Sequence, residues 1–303
     1  MTCSATSPKL WRWCVMAETA RVDRDYILGT RDQEALRLGI QHDAWASIAE
    51  ACWRRAGIGE GDRVIDVGAG PGYAAFDLAQ LVGAQGHVIA VERSTRFVEA
   101  GRAMSRGRGV HNVDFIESDL MADALPPGQY DAAWCRWVAS FVESPAVLVE
   151  KIAAAVRPGG VVMFHEYVDY ASWRYLPSLA LVEDYVGRVM RSWRDAGGEP
   201  DVATSIPPLL LRHGFEIEVV EPRVYCVHPT HAFWKWIGTF VESNLDRLVE
   251  LGLGGPDWAR AVRNELRSAE ADPAMLMVTP MVLEIVARRR SVGLSSPRRE
   301  AAS

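Results

Sequence analysis

Cysteine is scarce here and carries no pattern. Cys3, Cys14, Cys52, Cys135 and Cys226 are odd in number, lie far apart and form no Cys-x-x-Cys pair. Neither a disulfide framework nor a zinc site is expected from such spacing, which fits a reducing cytoplasm. Long apolar runs are missing too. None approaches the roughly 20 residues that span a bilayer, and the segment from Leu10 to Met16 is broken by Arg12 and too short for a signal core. A chain neither secreted nor membrane-spanning is the expectation, and Met16 followed by Ala17 and Glu18 reads as an alternative start. Excess positive charge is also absent. The formal charge is −6, and the basic residues, almost all arginine, are scattered apart from Arg288 to Arg290 and a short tail. That distribution gives no footprint for a phosphate backbone, so nucleic acid is excluded as a partner. A hydrophobic share of 49% with 24% charged residues describes an ordinary globular protein.

What is present is alternation. Trp45, Ile48, Ala49, Cys52 and Trp53 fall at helical spacing between Asp43, a capping residue, and Gly57, a stop. The β-branched run Arg63 to Val67 follows, then a glycine cluster, then a helical pattern from Ala74 to Val82. Strands are expected at His87 to Val91, Val113 to Ile116, Tyr130 to Cys135 and Val161 to Tyr167. Helices lie between them, one capped by Ser94 and one by Ser144. Strands and helices taking turns imply right-handed crossovers and a doubly wound α/β fold, with a parallel sheet covered on both faces.

After Tyr167 the pattern changes. Aromatic helical stretches interrupt the alternation, which resumes with a helix from Ser205 to His213 and a strand from Phe215 to Val220. A second aromatic stretch from His231 to Trp258 precedes Met275 to Val286, whose first half is expected to close a seven-stranded, mostly parallel sheet as an antiparallel strand. The organisation read from this is an N-terminal extension (1–25), a core (26–170), a helical insertion (171–200), core again (201–222), a second insertion (223–272), a final core element (273–290) and a disordered tail (291–303). The two insertions would form one lid.

The glycine cluster carries the chemistry. Val64 to Gly72 reads as a strand with Asp66 near its end, then Gly68-Ala69-Gly70-Pro71-Gly72. A dinucleotide fold usually spaces its glycines G-x-G-x-x-G, so that a pyrophosphate rests on the helix N-terminus. Here Tyr73 takes the third-glycine position, which disfavours a nicotinamide dehydrogenase. A ligand without phosphates needs close backbone and a carboxylate to meet an ammonium, and Asp66 is placed for that. Glu92, followed by Arg93, ends the next strand, where an acid meets ribose hydroxyls. Ser118, Asp119 and Leu120 lie beyond the strand after, near an adenine amino group. Taken singly, Asp66 is equally a loop cap and Glu92 a solvated strand end.

As an ensemble these residues resemble the class I S-adenosylmethionine-dependent methyltransferases, with Arg157-Pro-Gly-Gly160 before the fifth strand completing the set. The resemblance covers Arg63 to about Asp169. It extends upstream to a small-molecule subgroup through Tyr26-Ile-Leu-Gly29, Glu34, Arg37-Leu38 and Gln41. It implies a Rossmann-like fold, S-adenosylmethionine as cofactor and S-adenosylhomocysteine as product. Tyr26 and Gln41 would close over the cofactor, and Arg136 and Trp137 would lie near its methionine part.

Methyl transfer from a sulfonium is an in-line displacement in which positioning does much of the work and a base is optional. The acceptor would sit over the ends of the fourth and fifth strands, beside Ser140 and Tyr167. His165 is the candidate base if strand alternation turns it toward the crevice, and a core histidine if not. Glu166 is a candidate for orienting the acceptor. Trp173, Tyr185, Trp193 and Trp234, with the other rings of the two insertions, either line an apolar acceptor pocket or fill a core. The expected function is methylation of O, N or C in a small aromatic or apolar metabolite, secondary-metabolite or quinone-like, by a monomer or homodimer. The rival is a protein of the same fold that binds S-adenosylmethionine without transferring its methyl group.

Overall fold

The computed structural model of this chain describes residues 32–291. Tyr26, the expected N-terminal extension and residues 292–303 of the expected tail lie outside them. In chain order the elements are α1 (Asp32–Arg55), β1 (Arg63–Val67), α2 (Tyr73–Val82), β2 (His87–Glu92), α3 (Thr95–Arg108), β3 (Val113–Glu117), β4 (Tyr130–Arg136), α4 (Pro145–Ala155), β5 (Val156–Asp169), β6 (Arg174–Leu176), α5 (Ala180–Asp195), α6 (Ile206–Arg212), β7 (Phe215–Arg223), β8 (Cys226–Val227), α7 (Ala232–Glu250), α8 (Pro256–Ala271), β9 (Leu276–Val278) and β10 (Met281–Arg289).

The main sheet runs β3-β2-β1-β4-β5-β10-β7. Its first five strands pair in parallel, and β10 pairs antiparallel with both β5 and β7. The chain reverses its direction of winding between β1 and β4, so a crevice opens at their carboxyl ends. Alternation along the strands feeds two cores. Val64, Ala132, Trp134 and Met163 pack with α1 and α2, while Ile65, Ala133, Cys135 and Phe164 pack with α4 and α6. Ser94 and Ser144 cap α3 and α4 by accepting from the amides of Phe97 and Val147.

Two expectations are corrected. The helix expected from Asp43 starts at Asp32 instead, because its first half buries polar side chains, Glu34, Arg37 and His42, which an apolar periodicity overlooks. The closing strand is the second half of the Met275 segment. Its first half forms β9, the middle strand of a small sheet ordered β6-β9-β8 that underlies the lid. The lid itself is an aromatic core drawn from α1, α5, α7 and α8. No helix among the described residues is long and apolar enough to cross a membrane.

A buried ion cluster ties α1 to the antiparallel edge of the sheet. Glu284 of β10 is fully buried and accepts from His165 Nε2 at 3.0 Å and from Arg223 Nη2 at 2.9 Å, and it also pairs with Arg55 at the end of α1. Truncating one member of such a cluster strands the others' charges. Glu284→Ala is therefore expected to lower unfolding free energy by about 3–5 kcal/mol in urea titration. A loss under about 1 kcal/mol would show that water reaches the cluster.

Candidate functional site

The loop between β1 and α2 explains its own glycines. Gly68, Gly70 and Gly72 have φ of 74°, 56° and 92°, the left-handed region that side chains avoid. A Cβ on Gly68 would come within 2.3 Å of the Val138 side chain, and one on Gly72 within 2.4 Å of the Phe115 ring. The loop is pinned to β2: Gly68 N and Ala69 N both donate to Val91 O, at 2.8 and 2.9 Å. Gly70 N donates to Glu92 Oε2 at 3.0 Å, and Ser94 N to Glu92 Oε1 at 2.9 Å. Glu92 is thus held by backbone amides through both of its oxygens, and a carboxylate has lone pairs beyond these to offer a ligand hydroxyl.

The loop forms one wall of a cleft of about 660 Å³. Across four neighbouring strand ends it meets Asp119, Glu92, Asp66 and Arg136, following β3, β2, β1 and β4 in sheet order. Gln41, Gly68, Ala69, Gly70, Arg93, Leu120 and Trp137 line it as well. Of the expected cofactor residues, Gly72 and Ser118 stand behind this wall. Gly72 caps α2, and Ser118 Oγ faces Asp123 at 3.5 Å. Asp119 Oδ1 accepts from Met121 N at 2.8 Å, shaping the turn. Lys151 of α4 braces the same turn through the carbonyls of Leu120, Met121 and Asp123 at 2.7, 3.0 and 2.7 Å.

Asp66 and Arg136 are the unsettled groups. Asp66 Oδ2 and Arg136 Nη1 have no hydrogen-bond partner among the described residues. Burial pushes the Asp66 carboxyl up to about 7, Arg136 pulling it down and Glu92 pushing it further up. Burial also lowers the Arg136 guanidinium to about 10, against the pull of Asp66. Its Cζ lies over the rings of Trp134 and Trp137, 5.7 and 5.1 Å from their centroids, a cation–π arrangement that restrains it. Unmatched buried polar atoms cost free energy. A ligand with an ammonium and a carboxylate side by side, the head of an α-amino acid, is what would satisfy both.

The expected catalytic pair does not face this cleft. His165 and Glu166 are fully buried on opposite faces of β5. His165 turns toward α1, against the rings of Trp45 and Trp134, with Nε2 on Glu284. Burial holds its pKa well below 6.5, reinforced by Arg136, Arg223 and Arg55. Glu166 accepts from the amides of Val138 and Ala139, both at 2.8 Å, and from Ser140 Oγ at 3.1 Å. It braces the turn after β4 and takes Ser140 out of the substrate set with it. That turn begins at Trp137, whose φ of 53° is strained for a bulky residue at the cleft wall. Among the aromatics, Trp173, Tyr185 and Trp234 are core members of the lid rather than cleft lining. Tyr167 borders a small aromatic chamber that shares Gln41, Trp137, Phe141 and Trp193 with the cleft. Trp193, by contrast, does line the cleft; sequence reasoning missed Phe141, Glu143 and Arg247 beside it, and His42 and Tyr73. Their only signal is proximity in the folded chain. Cys52, His165 and Glu284 are metal-ligand types placed close together, but the arginines on Glu284 already compensate its charge.

Residues 58–193 match the methyltransferase domain family. The chain is 29% identical over 127 residues to the carboxy-S-adenosyl-L-methionine synthase of Dichelobacter nodosus, covering 41% of this chain and 53% of that protein. It is 22% identical over 164 residues to the ubiquinone/menaquinone biosynthesis C-methyltransferase UbiE of Francisella philomiragia, covering 52% and 64%. These matches place residues 58–193, the segment that carries the glycine loop, in a methyltransferase domain of the class I S-adenosylmethionine-dependent superfamily. The chain spans little more than half the length of these curated relatives. Its fold is that of the YcgJ protein of Bacillus subtilis, with a TM-score of 0.53 at 16% identity over 82% of this chain and 99% of that one. The superfamily's cofactor carries the zwitterionic head that Asp66 and Arg136 lack, together with ribose hydroxyls for Glu92.

The raised Asp66 pKa has two measurable signs. In the apo protein Asp66 holds a proton that the unfolded chain, near the ordinary 3.8, has released. Its contribution to stability is full below about pH 4 and lost as pH rises through about 7. An ammonium at the carboxylate reverses the preference, so S-adenosylhomocysteine should bind more tightly as pH rises from about 6 to 8 and release a proton near neutrality. Calorimetry in buffers of different ionisation enthalpy reads this directly, and Asp66→Asn should flatten the profile. A flat wild-type profile would mean that no cation meets Asp66.

Proposed function

We propose that this protein transfers the methyl group of S-adenosylmethionine to O, N or C of a small acceptor with a flat, largely apolar body. The observation that carries the reading is the row of Asp119, Glu92, Asp66 and Arg136 at adjacent strand ends, with one atom each of Asp66 and Arg136 unmatched. These residues would hold adenine, ribose and the amino-acid head, and the bound group would supply an electrophilic methyl.

The chain's own part is to place an acceptor and exclude water. Trp137, Phe141 and Trp193 present ring surface at the far end of the cleft, and the 4.5 Å edge contact of Phe141 with Trp193 makes a rigid wall. Glu143 and Arg247 offer polar contacts there, so a ring with polar substituents suits the space better than a plain hydrocarbon. The quinone C-methyltransferase among the relatives supports a quinone-like acceptor, and a secondary metabolite of similar shape fits equally. A cytoplasmic setting agrees with the scattered free thiols. His165 and Glu166 take no direct part in this reading. Acceleration comes from collinear positioning in a dry cleft, and the acceptor's proton leaves to solvent.

Incubation with S-adenosylmethionine and a panel of hydroquinones and phenols, followed by mass spectrometry, tests the proposal. Formation of S-adenosylhomocysteine together with an acceptor heavier by one methylene is expected. Cofactor that binds but is never demethylated by any acceptor would favour the scaffold reading instead. Glu92→Ala should weaken S-adenosylhomocysteine binding by about 1–3 kcal/mol through lost hydrogen bonds to the ribose. Unchanged affinity would remove Glu92 from the site.

A further inference from the structure

Arg136 does not stand alone in the cleft. Its Nη2 lies 3.1 Å from His42 Nδ1, and His42 Nε2 lies 2.9 Å from Asp77 Oδ2. An arginine can only donate, so His42 Nδ1 must be the acceptor. The ring proton therefore sits on Nε2 and is donated to Asp77, which makes His42 a neutral imidazole with one defined tautomer. The ring is held in place by more than these bonds. His42 is 6% exposed, and Tyr73 stacks on it with centroids 5.8 Å apart, while Tyr73 Oη donates to Ala35 O at 3.1 Å. Asp77 is on α2, His42 on α1 and Arg136 at the end of β4, so the chain of bonds crosses three elements that meet only in the folded protein.

We infer that Asp77 and His42 are positioning residues that aim Arg136 at the carboxylate of the cofactor's amino-acid head, and so set how strongly the protein distinguishes ligands that have this carboxylate from ligands that lack it. The inference rests on the cofactor reading above. Binding Nη2 to a neutral acceptor leaves the full positive charge of the guanidinium available and Nη1 without a partner, which a carboxylate on His42's position would not do. The rings of Trp134 and Trp137 restrain the guanidinium plane, and His42 fixes its rotation within that plane. Asp66, one strand over, is kept for the ammonium. A group that orients another by one hydrogen bond acts by lowering the cost of ordering it on binding.

Calorimetry on the full chain, with S-adenosylhomocysteine and with 5′-(3-aminopropylthio)-5′-deoxyadenosine as probes, tests this. The second probe differs by loss of the carboxylate alone. A charge-assisted hydrogen bond predicts that the wild type prefers S-adenosylhomocysteine by about 10- to 100-fold. His42→Leu is expected to reduce that preference to about threefold or less while the affinity for the aminopropyl probe stays within about twofold. His42→Asn, whose amide oxygen can accept from Arg136 where Nδ1 did, is expected to retain most of it. Asp77 is partly exposed, so Asp77→Ala should fold normally and give an intermediate preference. A wild type that binds both probes equally overturns the inference and leaves the cofactor reading standing. Parallel weakening of both probes in His42→Leu and Asp77→Ala overturns it too, since it would mark these residues as scaffold only. A wild type that binds neither probe overturns the inference together with the reading it rests on.

Discussion

The site depends on an acid and a guanidinium that are buried near each other yet not bonded. Arg136 draws the Asp66 pKa down and Asp66 draws the Arg136 pKa up, but the two form no ion pair within 4 Å, and each keeps an unmatched atom. Closing that gap would neutralise both and leave nothing for a ligand to gain. Held apart, they make the empty cleft pay in desolvation, and a zwitterion recovers the cost. Everything nearby serves to maintain the separation. Trp134, Trp137 and His42 restrain the guanidinium, and the glycine loop keeps the end of β1 free of competing side chains.

The rest of the chain makes that arrangement rigid. α1 contributes Leu38, Gln41 and His42 to the cleft, and its other end is anchored through Arg55 to Glu284 on β10. Gln41 Oε1 accepts from Trp236 Nε1 at 3.0 Å, which links the same helix to α7 in the lid. One helix therefore touches the cleft, α7 and the antiparallel strands of the sheet. Glu166 does the equivalent for the turn after β4, holding it from beneath by two amides and a hydroxyl. The buried carboxylates at 166 and 284 thus satisfy buried donors of the frame.

The fold was largely legible in the sequence because its central strands are short β-branched runs and two of its helices, α3 and α4, start at serines that cap them. The cofactor side was legible for a related reason: a glycine that must have positive φ, and an acid at a strand tip, are local requirements that leave local traces. Four kinds of feature were not legible. The first half of α1 buries Glu34, Arg37 and His42, so its inward face reads as polar. The strands of the lid sheet are two or three residues long, too short for any period to show. His165 and Glu166 were drawn toward the crevice by their place at a strand end, but adjacent residues of a strand point to opposite faces. At this depth in β5 both faces are covered, by α1 on one side and by the turn after β4 on the other. Phe141, Trp193 and Arg247 come from three separate segments, and only tertiary packing brings them to one wall.

The most direct measurement of the central claim is a crystal structure of the chain grown with S-adenosylhomocysteine. The account predicts the amino-acid head between Asp66 and Arg136, ribose hydroxyls on Glu92, adenine beside Asp119, and open space next to Phe141 and Trp193. A ligand seated elsewhere, or one in this cleft with its head at the Asp119 end, would contradict it.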